Sequence, residues 1–545
     1  MKQVQCTLFS DIEDPVLSIA DAAKKTGVSS ATIRNWIKTG YLELRRKGFV
    51  DLKSLDQFIE EVAGREKLNS RANKSLKDSH DHAELEATIL KQLSYDNCTE
   101  SLGEEYELAL SNSHKNKEGV YYTPSLIVND LFRIPASDTS LRTFCDPCCG
   151  SGNFIIRALD LGFSPENLYG YDTDPVAVAI TKQRIYKRTG YQSNNVIQKD
   201  FLYFATQTKN VAFDFIFTNP PWGKKLQKDK KRFYGKFFHA GKSLDTSALF
   251  FFACLGCLKE FGRLGLLLPE SFFNISTFED ARAKALTLSL HSLIDYGKAF
   301  KGLVTKAQAI VLDKKKPFNN SYQVVCKTGG ERFYRSAKTF AKNPKHIFNF
   351  HCNKNDSDVI SQIFSIPHIT LKQRAKWGLG IVTGNNKKFC KEKLEEGYMP
   401  VYKGADIKAS RLKEASYFIP ADLSLYQQVA PIELFQSPEK LIYKFISSNL
   451  CFFYDTEKRF ILNSANMLIP SCEFPISGRQ LCDMLNSNLI NWLFRSLFNT
   501  HKILRGDLEY LPIHTEYFLT NSKFNEELYL EFLGIEKVNN RTYRI

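Results

Sequence analysis

The chain has 545 residues, which is too long for a single ordinary hydrophobic core and predicts about three or four domains. Lysine and arginine number 74 against 59 acidic residues, and the formal net charge of +15 favours a polyanionic partner, above all nucleic acid. Hydrophobic residues at 43% and aromatic residues at 13% exclude a chain that is disordered over most of its length.

The 13 cysteines indicate a reducing compartment rather than a disulfide framework. They are odd in number, scattered and unaccompanied by a signal-peptide pattern, so we expect a cytoplasmic protein without a membrane anchor. The close pairs Cys145/Cys148 and Cys254/Cys257 lack a second pair at zinc-ribbon spacing, and we expect no metal site. The apolar segment 248–258 is typical of a helix that is too short to cross a bilayer.

Residues 1–65 predict a small helix-turn-helix module. A helix beginning near Ser18 is followed by a tight turn at Gly27 and by a second helix that Ser29 or Ser30 can cap. With residues 41–50 as a wing, the segment resembles the winged helix-turn-helix of the MerR family, whose second helix enters a major groove. The alternative is a helical module that docks another protein. The resemblance implies that five basic residues face the DNA phosphates, namely Arg34, Lys38, Arg45, Arg46 and Lys47.

The polar residues 66–118 predict a charged linker with one or two helices between residues 83 and 110. A short strand at residues 143–145 then enters a turn with Gly150 and Gly152, which let a ligand approach the backbone closely. The helix that follows offers N–H donors to a negative group.

Three later strands continue this pattern. Asp172 ends the next strand about 20 residues after Gly152, where a carboxylate can bind both hydroxyls of an adenosine ribose. A third strand leads into Asp200-Phe201, and a fourth covers residues 213–218. Strands alternating with helices predict a mostly parallel sheet with ligands at the carboxyl ends of the strands. Taken singly, Asp146 or Asp200 could equally cap a helix.

The tetrapeptide Asn219-Pro220-Pro221-Trp222 ends the fourth strand. The Asn219 side-chain oxygen and a proline carbonyl can accept both hydrogens of an exocyclic amine, which frees the nitrogen lone pair to attack. Asparagine does not titrate, so this is positioning and polarisation rather than general-base catalysis. Trp222 offers a flat face on which an unstacked base can lie. A plain turn after a strand is the alternative for the tetrapeptide alone.

In chain order, these motifs resemble those of S-adenosylmethionine-dependent adenine-N6 DNA methyltransferases of the gamma class, the TaqI-like and Eco57I-like modification methylases. The sequence 119–124, GVYYTP, supplies the first motif of the series. The resemblance implies an α/β chain with a Rossmann-like methyltransferase domain at residues 119–330. A helix-turn-helix module precedes this domain, and a mixed α+β target-recognition domain follows it at residues 331–545.

The resemblance also implies individual roles. S-adenosylmethionine would be bound by Tyr122, Thr123, Pro124, Asp146, Gly150, Gly152, Asp172, Asp200 and Phe201. Asn219 and Pro220 would hold the target amine, Trp222 would stack on the flipped base, and Phe300 would be a second aromatic beside it.

Residues 223–242 hold eight lysines or arginines against one acid, interleaved with aromatic residues. We expect a loop that holds phosphates and fills the gap left by an extruded nucleotide, with a solvated loop as the alternative. Its basic DNA-binding candidates are Lys224, Lys225, Lys231 and Arg232.

The implied activity is transfer of a methyl group from S-adenosylmethionine to N6 of an adenine flipped out of a specific double-stranded DNA sequence. Such an enzyme would act as a monomer in a restriction-modification system, beside a separately encoded cognate restriction endonuclease. Two alternatives remain open. One is an RNA or protein-glutamine methyltransferase, and the other is a DNA-binding regulator with a relict methyltransferase domain.

Overall fold

The computed structural model describes residues 16–26, 29–38, 42–46, 48–61, 89, 91, 103, 105, 106, 123–132, 139–208, 211–300, 305–317, 322–409, 411–500, 502–539 and 542–545. These residues belong to two compact units. The first comprises Met1–Thr208 with Phe217–Lys225, and the second comprises Lys209–Ile216 with Leu226–Ile545. Within the described ranges, no helix combines the length and the apolar character that crossing a membrane requires.

The amino-terminal elements surround a small apolar core in which Trp36 packs against Phe58, with ring centroids 4.7 Å apart. Ser29 caps the second helix by accepting the Thr32 amide, as the sequence predicts. The three strands form an antiparallel sheet with β3 in the centre. The elements are β1 Val16–Ser18, α1 Ile19–Thr26, α2 Ser30–Lys38, β2 Leu44–Arg46, β3 Phe49–Asp51 and α3 Leu52–Glu61.

Parts of the amino-terminal prediction lie outside the described residues. These parts are the turn residues 27 and 28, residues 41 and 47 of the wing, and most of the linker at residues 66–118. Of the predicted linker, residues 89, 91, 103, 105 and 106 are described, and all five are helical.

The rest of the first unit is an α/β arrangement whose strands follow the order β7-β4-β5-β6. β5 pairs with β4 on one side and with β6 on the other, and both pairings are parallel, which confirms the predicted strand direction. Phe132, Phe144 and Phe217 pack together in its core, with Phe132 centroids 5.2 and 4.6 Å from the other two rings. The elements are α4 Ser125–Leu131, β4 Phe144–Asp146, α5 Asn153–Asp160, β5 Leu168–Asp172, α6 Pro175–Thr189, β6 Val196–Gln198, α7 Phe201–Gln207 and β7 Phe213–Thr218, with a 3-10 turn at Pro165–Asn167.

The first four residues of β7 belong to the second unit, where the strand order is β12-β11-β9-β10-β8-β7. Here the pairings β8/β10, β9/β10 and β11/β12 are antiparallel, and only β9/β11 is parallel among those resolved. The elements are α8 Lys228–Phe237, α9 Thr246–Gly256, β8 Leu258–Pro269, α10 Ser271–Asn274, α11 Glu279–Leu286, β9 Ser289–Asp295, β10 Ala307–Asp313, β11 Gln323–Thr328, β12 Glu331–Ser336, α12 Ala337–Lys342 and α13 Lys354–Ser365, with 3-10 turns at Ser276–Phe278 and Pro344–His346.

The expectation of a loop over residues 223–242 is wrong for its central part, because α8 occupies it. Lysine and arginine are good helix formers and no proline interrupts the run. The helix is anchored by the buried Tyr234, which stacks on Phe238 one turn later at 6.0 Å. Gly235 packs closely against Leu244, since a Cβ there would lie 2.3 Å from a Leu244 methyl carbon.

The remainder of the second unit is mixed α+β, as predicted, around two apolar cores. A four-stranded antiparallel sheet has the order β13-β21-β18-β19, and a smaller sheet has the order β17-β14-β20. Between β18 and β19, the fully buried Lys440 and Asp455 form an ion pair at 2.6 Å.

The strands of this region are β13 Ala375–Leu379, β14 Tyr398–Tyr402, β15 Ile407–Lys408, β16 Arg411–Leu412, β17 Tyr417–Pro420, β18 Lys440–Lys444, β19 Phe452–Asp455, β20 Phe460–Ile461, β21 Ala465–Pro470, β22 Glu536–Asn539 and β23 Thr542–Arg544. The helices are α14 Asn386–Phe389, α15 Ile432–Phe435, α16 Gly478–Leu485, α17 Asn488–Phe498, α18 Arg505–Leu508, α19 Tyr517–Thr520 and α20 Glu526–Leu533, with 3-10 turns at Gly404–Asp406 and Leu423–Leu425.

Candidate active site

The glycine turn lies between β4 and α5, and its conformation requires glycine. Gly150 and Gly152 have φ values of 49° and 92°, in the left-handed region that side chains disfavour. A Cβ on Gly152 would also lie 2.8 Å from the Thr181 hydroxyl oxygen. That hydroxyl donates a hydrogen bond to the Gly150 carbonyl at 2.8 Å, which ties the turn to α6. The turn is therefore held in place on the side that faces α6. Its backbone amides lie at the start of α5.

Asp172, at the end of β5, is joined directly to this turn. The Gly150 amide donates to Asp172 Oδ2 at 2.9 Å, and the Asp174 amide donates to Oδ1 at 3.0 Å. Burial raises the pKa of Asp172, while the two amides act in the opposite direction. The carboxylate thus has a fixed orientation between the turn and the loop after β5, which suits it to bind hydroxyl groups.

Asp146, at the end of β4, is fully buried. Its pKa is raised to about 7, chiefly by burial and to a smaller extent by the neighbouring Asp172, while the Thr218 hydroxyl and the Cys148 amide act in the opposite direction. The Cys148 amide donates to Asp146 Oδ1 at 3.1 Å, whereas Oδ2 makes no hydrogen bond of normal geometry to a described residue. A buried carboxyl with one oxygen left to accept is a site where a cationic or hydrogen-donating group of a ligand would be stabilised.

Asp200 and Phe201 follow β6. Asp200 caps α7, because its Oδ1 accepts the Leu202 and Tyr203 amides at 2.9 and 3.4 Å. Capping, the simpler reading of this acid, is therefore observed, and a ligand role for the exposed side chain stays a prediction. Phe201 is buried, with its ring centroid 5.4 Å from that of Tyr171. Its contact with an adenine ring also stays a prediction.

The first motif of the series reaches the glycine turn through the main chain of Thr123. Thr123 is buried, and its carbonyl accepts the Asn153 side-chain amide at 3.0 Å. Pro124 is the exposed residue that precedes α4, and Tyr122 lies outside the described residues. Arg184 completes the link, because one guanidinium nitrogen donates to both the Ser151 carbonyl and the Asn153 side-chain oxygen at 2.6 and 2.9 Å.

Asn153, Thr181 and Arg184 were not predicted as site residues from the sequence. Thr181 and Arg184 bind carbonyls of the turn from α6, Asn153 on α5 binds the Thr123 carbonyl, and their spacing forms no motif. The only available signal was their helical periodicity, since residues 181 and 184 share a helix face.

The tetrapeptide follows β7 directly. Thr218 and Pro220 are buried, Asn219 is half-exposed, and Gly223 ends the segment with a φ of 67°. Trp222 is 8% exposed, so most of the indole packs against the protein.

The remaining candidates divide between the two units. Lys224 and Lys225 belong to the first, while Lys231 and Arg232 on α8 belong to the second, as does the buried Phe300. Arg34 is exposed on α2, and the side chain of Lys38 lies outside the described residues.

Comparison with known proteins assigns the chain to a family. Residues 97–373 match the N-6 DNA Methylase family, and residues 399–513 match the TaqI-like C-terminal specificity domain. The chain belongs to the N-6 DNA methylase family: it is a DNA methyltransferase of the adenine-N6, TaqI-like type. This membership favours DNA over RNA or protein glutamine as the substrate.

Individual proteins are also similar to the chain. The Type II methyltransferase M.VspI of Vibrio sp. (strain 343) is 49% identical over 404 residues, which cover 74% of this chain and 98% of the relative. The modification methylase CviBIII of Paramecium bursaria Chlorella virus NC1A is 24% identical over 199 residues, which cover 34% of this chain and 47% of the relative. Among solved structures, the Type IIL restriction-modification enzyme MmeI in complex with DNA has a TM-score of 0.49 at 13% identity, over 75% of this chain and 70% of MmeI.

The buried Asp146 carboxyl makes the stability of the ligand-free protein depend on pH. Its folded pKa of about 7 exceeds the ordinary value of 3.8, so its contribution is fully present below pH 3.8 and is lost as pH rises through 7. Asp146→Asn keeps the acceptor for the Cys148 amide and removes the charge. We expect this variant to melt at a higher temperature than the wild type at pH 8, with a smaller difference at pH 5.5, as measured by differential scanning fluorimetry.

The exposed carboxylate Asp160, changed to Asn, is the control and should show no such pH-dependent gain. Equal melting temperatures of Asp146→Asn and the wild type at pH 8 would show that the carboxyl is not destabilised by burial.

Proposed function

We propose that the chain transfers a methyl group from S-adenosylmethionine to N6 of an adenine that is flipped out of double-stranded DNA. The observation that carries this proposal is the hydrogen bond between the Gly150 amide and Asp172, at adjacent strand ends of a chain with Asn-Pro-Pro-Trp after β7. This combination gives one ligand crevice and one amine-binding segment within the first unit.

The crevice residues fit S-adenosylmethionine. Asp172 has a fixed carboxylate for two ribose hydroxyls, and Gly150 has no side chain beside that carboxylate, so a ligand can approach the backbone there. The Asp146 carboxyl, with one oxygen available, suits the ammonium group of the methionine part. Tyr122, Thr123 and Pro124 would line the methionine end, and Asp200 with Phe201 the adenine ring. When bound, the cofactor supplies an electrophilic methyl group on a sulfonium.

The target amine would be held by Asn219 and Pro220. Two acceptors aligned on its hydrogens draw the nitrogen out of conjugation with the ring, so that its lone pair points toward the methyl donor. Pro221 limits the backbone freedom of the segment, and Trp222 and Phe300 would contact the extruded base. As the N–C bond forms, the S–CH3 bond would break and leave a neutral thioether. The methylated nitrogen would then lose one proton to solvent water, because the Asn219 amide does not titrate at neutral pH.

The DNA backbone would contact the basic candidates of three elements. Arg34 and Lys38 lie on α2, Lys224 and Lys225 follow Trp222, and α8 carries Lys231 and Arg232. On this proposal residues 1–65 are a DNA-binding helix-turn-helix, residues 66–118 a linker and residues 119–330 the catalytic domain. Residues 331–545 would choose the target sequence.

The biological setting that we propose is a restriction-modification system in the cytoplasm. The enzyme would act as a monomer and would protect sites cut by a separately encoded endonuclease. A monomer suffices because one crevice and one amine-binding segment occur in the same chain.

Asn219→Ala tests the amine-binding assignment. Loss of one positioned polar group that acts in the transition state typically lowers kcat by about 10²–10³-fold, and we expect at least this loss with S-adenosylmethionine affinity unchanged. Methyl transfer to duplex DNA is measured with labelled cofactor, and cofactor affinity by calorimetry. Asn195→Ala is the control and should retain wild-type turnover, because Asn195 precedes β6 whereas Asn219 follows β7. Wild-type labelling by Asn219→Ala would exclude Asn219 from catalysis.

The double variant Lys231→Ala/Arg232→Ala tests the role of α8. If both side chains contact phosphates, the slope of log affinity for DNA against log salt concentration should fall by about 2, and affinity should weaken equally for cognate and unrelated duplexes. Fluorescence anisotropy at several salt concentrations provides the measurement. The matched pair Lys338→Ala/Lys342→Ala, on α12 of the same unit, should leave the slope unchanged. An unaltered slope for the α8 variant would place the phosphates elsewhere.

A further inference from the structure

A short helical segment before the first methyltransferase motif contacts the glycine turn. Gly103, Glu105 and Tyr106 are helical, and Tyr106 is fully buried. A Cβ on Gly103 would lie 2.8 Å from Ser151 Cβ and 2.9 Å from its hydroxyl oxygen. The backbone of this helix therefore approaches the residue between the two turn glycines as closely as a glycine allows.

The same segment also holds the loop after β5. The Tyr106 hydroxyl donates to Asp174 Oδ2 at 2.8 Å. The other oxygen of Asp174 caps α6 by accepting the Val176 and Ala177 amides at 2.9 and 3.3 Å. The Asp174 carboxylate is thus satisfied on both sides, and one of its partners comes from 68 residues earlier in the chain.

Asp174 in turn orients the carboxylate of Asp172, the candidate ribose-binding residue. Its main-chain amide donates to Asp172 Oδ1, while the Gly150 amide donates to Oδ2. Gly103 and Tyr106 are separated by three positions, so they lie on one helix face. One face therefore contacts both sides of the crevice: Gly103 touches the turn at Ser151, and Tyr106 bonds to the loop that orients Asp172.

We propose that Gly103 and Tyr106 are positioning residues for cofactor binding, which hold the glycine turn and the Asp172 loop at a fixed separation before the ligand enters. The inference rests on the proposed use of S-adenosylmethionine at this crevice. A site that is preorganised binds more tightly, because less order has to be imposed on binding. Gly103 and Tyr106 contact Ser151 and Asp174, which lie outside the segment proposed to hold the target amine, so affinity for the cofactor should change while turnover at saturation does not.

Tyr106→Phe removes one hydroxyl and keeps the ring. Losing a hydrogen bond typically weakens an equilibrium by about 1 kcal/mol, which is about a fivefold change in an equilibrium constant. We therefore expect the dissociation constants of S-adenosylmethionine and S-adenosylhomocysteine to rise about fivefold. Calorimetry on the full chain measures both. KM for the cofactor should rise in parallel, while kcat and KM for DNA stay within about twofold of the wild type.

Tyr517→Phe is the matched control. Tyr517 is likewise buried, and its hydroxyl donates to the Asn525 carbonyl at 3.0 Å within the second unit. This variant should show a comparable loss of thermal stability and wild-type cofactor affinity, which separates positioning from a general loss of stability. Gly103→Ala provides a second test that does not depend on the hydroxyl, and it should weaken cofactor binding in the same direction.

Cofactor dissociation constants of Tyr106→Phe and Gly103→Ala equal to that of the wild type would overturn the inference. A fall in kcat at unchanged cofactor affinity would overturn it as well. Failure of the proposed function is a different result, because the wild-type protein itself would then bind neither S-adenosylmethionine nor S-adenosylhomocysteine.

Discussion

The hydrogen bond from the Gly150 amide to the Asp172 carboxylate joins the two strand ends that form the crevice. It requires Gly150 in a left-handed conformation, Thr181 holding the Gly150 carbonyl from α6, and Asp174 holding the other carboxylate oxygen. Each of these contacts gives a hydrogen-bond partner to a backbone N–H or C=O group of the turn or of the loop after β5. Hydrogen bonds within the first unit therefore specify the geometry of these two strand ends.

The buried Asp146 shows a conflict between stability and function at the same site. The pKa of this carboxyl is raised to about 7, mainly by burial, so its ionisation disfavours the folded state. The same negative charge would stabilise a cationic ligand. Asp172 is only partly buried, and it adds to this destabilisation because it lies close enough to raise the pKa of Asp146. Two acids kept together despite their repulsion indicate a site shaped for binding rather than for stability.

The strand ends could be predicted from sequence because the glycine turn, Asp172 and the Asn-Pro-Pro-Trp segment each combine an apolar run with residues that stop it. The helix α8 could not be predicted, because most of its residues are polar and few, such as Tyr234, pack inward to give an apolar pattern. The antiparallel direction of the strands after β8 could not be predicted either, because their apolar runs are like those of parallel strands. The contact between Tyr106 and Asp174 spans 68 residues and belongs to no motif, so only the folded chain reveals it.

Family membership and the crevice lead to one central claim, which is that the chain methylates adenine at N6 in duplex DNA. The base is the part that the tetrapeptide leaves open, because both adenine and cytosine carry an exocyclic amine. The most direct measurement is mass spectrometry of the nucleosides from duplex DNA of diverse sequence after incubation with the purified chain and S-adenosylmethionine. We expect N6-methyladenine as the single new base, whereas N4-methylcytosine, or no modified base at all, would contradict adenine-N6 methylation.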